Sequence, residues 1–168
     1  MQNAEMLRSV MPAPSAGFFL GPSGQCHASG QVQENQRNTQ FVGLLNAFRR
    51  SGGLAQAPEV AARFKRQGVD DVSQLAAWLV KRQVISVEWQ TKIWLPLFQF
   101  SPNGMALRTG LSSVLAELVA RYDDWDLANW FAQPNVWLAD CAPADVLAIA
   151  APQVLNAARA TRCASVEC

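Results

Sequence analysis

Residues 111–119, LSSVLAELV, decide the fold, because their apolar side chains recur at the spacing of one helix face. Apolar residues at positions i, i+3, i+4 and i+7 are typical of an amphipathic helix with one buried side. Thr109 or Ser112 stands near the start of this segment. The stripe consists of Leu111, Val114, Leu115, Leu118 and Val119. This stretch predicts the clearest helix of the chain.

The residues that follow predict further helices. Asp123 or Asp124 can cap a helix, since an aspartate side chain accepts hydrogen bonds from the free N–H groups of a first turn. That helix carries Leu127, Trp130 and Phe131 and ends at Pro134. Proline is tolerated in the first turn of a helix, so two more helices are expected to start near Pro143 and Pro152.

Upstream, the helical period begins at residue 41. Phe41, Leu44, Leu45 and Phe48 predict a helix that Gly52 and Gly53 end. A second helix is predicted over residues 57–64, ending near Gly68, and a third over residues 72–80, capped by Asp70 or Asp71.

The segment KIWLPLFQF, residues 92–100, departs from the helical period. Aromatic and β-branched residues favour an extended chain, whereas Pro96 excludes a central strand because proline lacks a backbone N–H. We therefore expect a strand or short hairpin near residues 92–100. The predicted fold class is mainly α, a compact helical domain with this short extended segment.

Residues 1–40 differ from the rest of the chain. They contain Pro12, Pro14 and Pro22, and the run from Gln31 to Gln40 is almost wholly polar. Such a segment buries too little apolar surface to offset its ordering entropy. The predicted organisation is a flexible, disordered arm over 1–40, a helical segment over 41–92 and a further helical domain over 93–168.

The composition limits the class of protein. Half of the 168 residues are hydrophobic and the net charge is only +1, so a folded core is expected and a polybasic or acidic tail is not. No apolar run approaches the roughly 20 residues that span a bilayer, and no signal peptide is apparent, so the expected location is the cytoplasm, with no membrane partner. The four cysteines form no C-x-x-C pair, and we expect free thiols, no metal site and no cofactor.

The pattern of polar residues does not predict an enzyme. The single histidine, His27, lies in the predicted arm, and no Gly-rich phosphate loop is present. The acidic group Asp123, Asp124 and Asp126 stands where acids usually cap a helix. We therefore expect no catalytic residues, although a buried aspartate with a raised pKa would not be visible in the sequence.

The stretch from Phe98 to Arg162 resembles the toxin-binding domain of Xre/MbcA/ParS-type antitoxins. The shared features are an F-Q-F segment with a following glycine, a W-x-x-x-P-N-x-x-L element, a P-x-x-x-L helix start and a final V-x-x-A-A helix. They correspond here to Phe98, Gln99, Phe100 and Gly104; Trp130, Pro134, Asn135 and Leu138; Pro143 and Leu147; and Val154, Ala157 and Ala158. The resemblance covers about 65 of the 168 residues, and it departs from the family where Ala139 replaces a usual glycine.

This resemblance implies a protein that binds and neutralises a RES-domain-type toxin. In that family the C-terminal end commonly enters the active site of the toxin, which implies roles for Arg159 and Arg162. Independently, four large aromatics between Trp125 and Trp137 suit an interface, and we expect at least one of them to reach the surface. The predicted toxin-binding residues are Trp130, Pro134, Asn135, Trp137, Arg159 and Arg162. Burial of each single aromatic in the core, and solvated helix-end arginines, are the alternatives.

Residues 74–92 leave open a second partner, operator DNA. They suggest a helix-turn-helix with a second short helix starting at Ser86, in a segment (41–92) with eight basic and four acidic residues. The side chains expected to touch phosphates or base edges are Lys81, Arg82, Gln90 and Lys92. Since the usual turn glycine is missing, a degenerate, purely structural segment is favoured. The alternative function is a DNA-binding transcriptional regulator without a toxin partner, and a homodimer is a further assembly that the sequence leaves open.

Overall fold

Six α-helices and three short strands form the part of the chain that the computed structural model describes, namely residues 25–66, 72–102 and 106–164. Side chains are described from residue 33 onward, apart from residue 72. The helices are α1 Gln25–Ala47, α2 Ala57–Arg66, α3 Val72–Val80, α4 Leu111–Leu118, α5 Asp124–Ala132 and α6 Pro143–Ala164; the strands are β1 Leu54–Gln56, β2 Val87–Trp89 and β3 Lys92–Pro96. The predicted mainly α fold with a short extended segment is confirmed.

Helix α1 corrects the prediction of a disordered arm. That arm was expected over residues 1–40, but residues 25–40 are helical and continue into the apolar stripe of Phe41 and Leu44. Two polar side chains of the segment are held by the rest of the fold: Asn38 accepts a hydrogen bond from Trp89 Nε1 at 2.8 Å, and the Arg37 guanidinium lies 5.6 Å from the Trp125 ring centroid. Residues 1–24 lie outside the described residues.

A small antiparallel sheet joins the two halves of the chain, with strand order β1-β3-β2. The boundary predicted between residues 92 and 93 falls inside β3, whose two pairing partners both precede it. A two-residue turn links β2 to β3, and Gln90 and Thr91 have φ of 48° and 60°, as a tight hairpin requires. The segments 41–92 and 93–168 therefore share one sheet.

The expectation that Pro96 excludes a central strand is wrong. Strand β3 is the central one, and Pro96 is its last residue, paired with Leu54 of β1. On the other side, β2 pairs with β3 only as far as Trp94. At Pro96, strand β3 therefore has a neighbouring strand on one side only. The missing N–H of proline costs no ladder hydrogen bond there.

The two phenylalanines of the F-Q-F segment enter different apolar clusters. Phe98 packs into the larger cluster, which α1, α4, α5 and α6 supply, with its ring centroid 5.2 Å from that of Phe131. Phe100 packs into a smaller cluster from α2, α3 and the sheet, 5.9 Å from Phe64. The segment thus ties together the two cores of the fold.

Gln99, between these phenylalanines, is fully buried at 0% exposure. Its side-chain oxygen accepts a hydrogen bond from Ile85 N at 2.8 Å, and its side-chain nitrogen donates to Ile85 O at 2.9 Å. The amide side chain therefore satisfies both backbone groups of a buried residue, which would otherwise cost about 1–3 kcal/mol each.

Helix α6 is kinked near the point where it approaches the residue that precedes α4. Ala150 has a non-helical backbone (φ −139°, ψ 56°), two residues before Pro152, so two helical runs meet where the two prolines predicted separate helices. Gly110, which precedes α4, has φ 87°, and a Cβ there would lie 2.7 Å from the Cβ of Ala151. The close approach of the kink to α4 thus depends on a glycine.

Within the described residues, none of the helices has both the length and the apolar character needed to cross a bilayer.

Candidate functional site

The connection between α5 and α6, residues 134–141, forms a tightly bonded loop that we call the Asn135 loop. The Asn135 side chain accepts a hydrogen bond from Trp137 N at 2.9 Å, and its carbonyl accepts bonds from Leu138 N and Asp140 N. Asn135 N donates to Cys141 O at 3.1 Å, which closes the loop. Because one residue bonds to four others, the backbone of this loop is fixed at its base.

Two left-handed residues complete the turn of this loop. Ala139 has φ 52° and Asp140 has φ 59°, in the region that usually favours glycine. Ala139 stands where the resembling antitoxin family has its glycine. The turn thus forms here without that glycine, although a left-handed alanine costs about 1–2 kcal/mol.

The loop directs one apolar side chain inward and two outward. Leu138 is buried among residues of the larger core and anchors the loop. Trp137 is 64% exposed and Val136 is 77% exposed. The expectation that at least one of the clustered aromatics reaches the surface is therefore confirmed, and the aromatic concerned is Trp137.

Trp130, another predicted toxin-binding residue, has a different environment. It is half-buried, its ring centroid lies 4.9 Å from that of Phe131, and its Nε1 donates to Thr161 Oγ1 at 3.3 Å. Trp130 thus joins α5 to α6, and most of its apolar surface is already covered by this chain.

Arg159 and Arg162 lie side by side on α6 and share one carboxylate. Arg159 Nε lies 3.1 Å from Glu117 Oε1, and Arg162 Nη1 lies 2.9 Å from Glu117 Oε2. Glu117 is only 17% exposed, whereas the two arginine side chains are half exposed. One carboxylate orients two guanidiniums, so this end of α6 keeps an excess positive charge.

A groove of about 760 Å³ lies between the Asn135 loop and the kink of α6. Its apolar lining includes Pro134 from the loop, Val146 and Ile149 from α6, and Ala47 from α1. Ile149 is 89% exposed, more than any other large apolar residue described. The polar lining consists of Arg50, Asp140, Cys141, Asp145 and Gln153.

The helical period did not reveal Ile149 as a surface residue. Leu147 and Ile149 both follow Pro143 in α6, yet Leu147 is 2% exposed and Ile149 is 89% exposed. Residues two positions apart point about 200° apart around a helix, so they cannot share its buried side. This geometry was the available signal for an exposed Ile149.

The predicted DNA-binding segment takes a different form. The second helix expected from Ser86 is strand β2, in which buried Val87, exposed Glu88 and half-buried Trp89 alternate with the two-residue period of a sheet. Lys81 follows α3, Gln90 lies in the hairpin turn and Lys92 opens β3. The predicted contacts therefore share no recognition helix within residues 72–102.

Arg82, the fourth predicted DNA contact, is hydrogen-bonded to the rest of the fold, although its side chain remains 40% exposed. Its guanidinium donates to Val119 O at 3.1 Å, to Tyr122 O at 2.9 Å and to Asp124 Oδ1 at 2.8 Å. These contacts tie the turn after α3 to the connection between α4 and α5. Arg82 therefore has a structural role, and its predicted DNA contact stays a prediction.

The acidic group at the start of α5 serves local structure. Asp123 caps the helix by accepting a hydrogen bond from Asp126 N at 2.8 Å, and Asp124 pairs with Arg82. Among the described side chains, no three histidine, cysteine, aspartate or glutamate residues gather at a distance suited to a metal ion. Cys141 and Cys163 are exposed free thiols.

Comparison with protein-family models, curated proteins and solved structures found no match to this chain.

Proposed function

We propose that this chain is an antitoxin-like protein that binds and neutralises a RES-domain-type toxin through the Asn135 loop and the arginine pair of α6. The observation that carries the proposal is the exposure of Trp137 on a loop whose backbone is fixed at its base. The resemblance of residues 98–162 to the antitoxin domain supplies the class of partner.

An exposed tryptophan on a rigid support suits a binding surface. Tryptophan is enriched among the few residues that carry most of the energy of an interface. A loop that is already ordered loses little further conformational entropy when a partner covers it. Trp137 and Val136 thus offer apolar area for a partner at a small ordering cost.

The arginine pair adds a charged element to the proposed interface. Glu117 holds both guanidiniums at the end of α6, and its contacts use one nitrogen of each. The remaining N–H donors suit a carboxylate or a phosphate, because the planar guanidinium matches both geometries. A RES-type active site handles NAD, so it would offer the arginines a carboxylate or phosphate, or the space that such a group occupies.

The alternative, a DNA-binding regulator without a toxin partner, has less support. Its recognition helix is replaced by β2, and Arg82 is occupied by three acceptors within the protein. Lys81 and Lys92 remain exposed, but exposed lysines alone indicate no sequence-specific contact.

A growth-rescue assay tests the proposal. Cells that express a RES-domain-type toxin from the same genome should survive when this chain is co-expressed. Val136→Asp should abolish rescue, because it places a charge in the proposed apolar interface. Val80→Asp is the matched control, since Val80 is 85% exposed on α3, and it should leave rescue unchanged. Failure of the unaltered chain to rescue cells from any such toxin would remove the proposal.

A further inference from the structure

The groove between the Asn135 loop and the α6 kink has the form of a second, adjoining contact site. Pro134, Asp140 and Cys141 of the loop line one side of it, and Val146 and Ile149 of α6 line another. Trp137 belongs to the same loop as these lining residues, so a partner segment that covers Trp137 would also lie next to the groove. The volume of about 760 Å³ accommodates several side chains rather than one.

The charges of this groove are unbalanced. Asp140 and Asp145 both line it, against the single basic residue Arg50. Among the described residues, no ion pair or side-chain hydrogen bond engages any of these three groups. The two carboxylates are thus exposed to whatever segment enters the groove, beside an apolar wall.

We infer that the groove binds an apolar segment of the partner protein that carries a lysine or arginine next to its apolar side chains. The inference rests on the proposed function for the partner being a protein. The apolar side chains of the segment would cover Ile149 and Val146, and its cation would lie between Asp140 and Asp145. Complementary charge favours the encounter and disfavours acidic segments of equal apolarity.

A pair of synthetic peptides tests the chemistry of the groove without the toxin. One probe is a short amphipathic peptide of leucine and lysine; the other has glutamate in place of every lysine. Titration of each into the isotope-labelled full chain, followed by amide resonances, should show the lysine peptide shifting Ala47, Cys141 and Ala150. It should bind at least about tenfold more tightly than the glutamate peptide.

Charge-neutral variants test whether the two carboxylates cause this preference. The double variant Asp140→Asn/Asp145→Asn should abolish the preference for the lysine peptide, and asparagine tolerates the left-handed backbone of residue 140. The matched control, Glu59→Gln/Glu88→Gln, removes two exposed acids elsewhere and should leave the preference intact. Equal binding of both peptides, or resonance shifts confined to other surfaces, would overturn the inference.

A second copy of this chain is the competing occupant. Sedimentation equilibrium of the unaltered chain and of Ile149→Ser should give the same monomer mass; a dimer that Ile149→Ser dissociates would overturn the inference. The outcomes also separate the two proposals. Toxin capture that survives Ile149→Ser but not Val136→Asp would refute the groove alone. Charge-selective peptide binding without growth rescue would refute the antitoxin function alone.

Discussion

The turn after α3, which contains Arg82, and the Asn135 loop both hold non-glycine residues in left-handed conformations, but the two are stabilised in opposite ways. Both contain non-glycine residues in the left-handed region, Arg82 at φ 50° and Ala139 and Asp140 at φ 52° and 59°. In the first, a charged side chain stabilises the turn by donating to three acceptors elsewhere in the chain. In the second, backbone hydrogen bonds hold the loop, and Trp137 remains exposed.

This difference distinguishes a structural turn from a surface available for binding. Where a long side chain must stabilise the turn, that side chain is no longer available to a partner. Where backbone hydrogen bonds and one asparagine stabilise the turn, the neighbouring side chains are not needed for it and remain available to a partner. Unusual backbone angles alone thus do not identify a functional site. What distinguishes one is whether the nearby side chains are bonded within the protein or remain exposed.

The largest effect that tests this comparison is expected at Arg82. Arg82→Ala should lower the free energy of unfolding by about 2 kcal/mol, because two carbonyls lose a charged donor and Asp124 loses its partner. The ion pair itself contributes little of this, since both side chains are about half exposed. Urea denaturation measures the change.

Lys81→Ala is the matched control for Arg82. Lys81 is exposed and adjacent, and its removal should change the unfolding free energy by less than about 0.5 kcal/mol. Equal effects of the two substitutions would contradict the structural role of Arg82.

A smaller effect is expected at Asn135. Asn135→Ala removes the side-chain acceptor for Trp137 N and should destabilise the fold by about 1 kcal/mol, the usual value of such a cap. Amide hydrogen exchange should accelerate at Trp137 and Leu138 and remain unchanged in the hairpin of β2 and β3. Unchanged exchange throughout the loop would show that its backbone needs no support from this side chain.

The smallest effect is expected at Ala139, and it has the opposite sign. Ala139→Gly relieves a left-handed alanine, worth about 1–2 kcal/mol, but adds unfolded-state entropy worth about 0.4–1 kcal/mol. The net expectation is a stabilisation of about 0.5 kcal/mol by thermal denaturation. Asp140→Gly should gain less, since aspartate tolerates this region better. A loss of stability for Ala139→Gly would contradict the assigned turn geometry.

Much of the α-helical part of the fold follows from apolar spacing. The stripe from Leu111 to Leu118, the cap at Asp123 and the stop at Gly52 all appear in the structure where the residues predicted them. These features are local: each depends on side chains within one or two turns, so one sequence contains the necessary information.

The errors arose where distant contacts decide the structure. Residues 33–40 have no apolar stripe of their own, and the contacts of Asn38 with Trp89 and of Arg37 with Trp125 join positions far apart in the chain. Ser86 to Gln90 suits a short helix as well as a strand, and pairing with β3 selects the strand. Propensity is a weak guide when tertiary contacts compete with it.

The candidate site was predictable only in part. Trp137 and Asn135 were found from the clustered aromatics and the P-N element. Asp145 and Ile149 lie four residues apart on one face of α6, and the Asn135 loop brings Asp140 beside them, a contact that helical spacing alone does not reveal. The structural bonds of Arg82 could not be predicted, because the carbonyls that accept them lie about 40 residues farther along the chain.

The affinity of the Trp137→Ala variant for a RES-domain-type toxin, measured by calorimetry, tests the central claim most directly. If Trp137 is an interface residue, its loss should raise the dissociation constant at least about tenfold while the unfolding free energy stays the same. The control Ile93→Ala removes an exposed apolar side chain of β3 and should leave the affinity unchanged. An unaltered affinity for Trp137→Ala would contradict the proposal that the Asn135 loop binds the toxin.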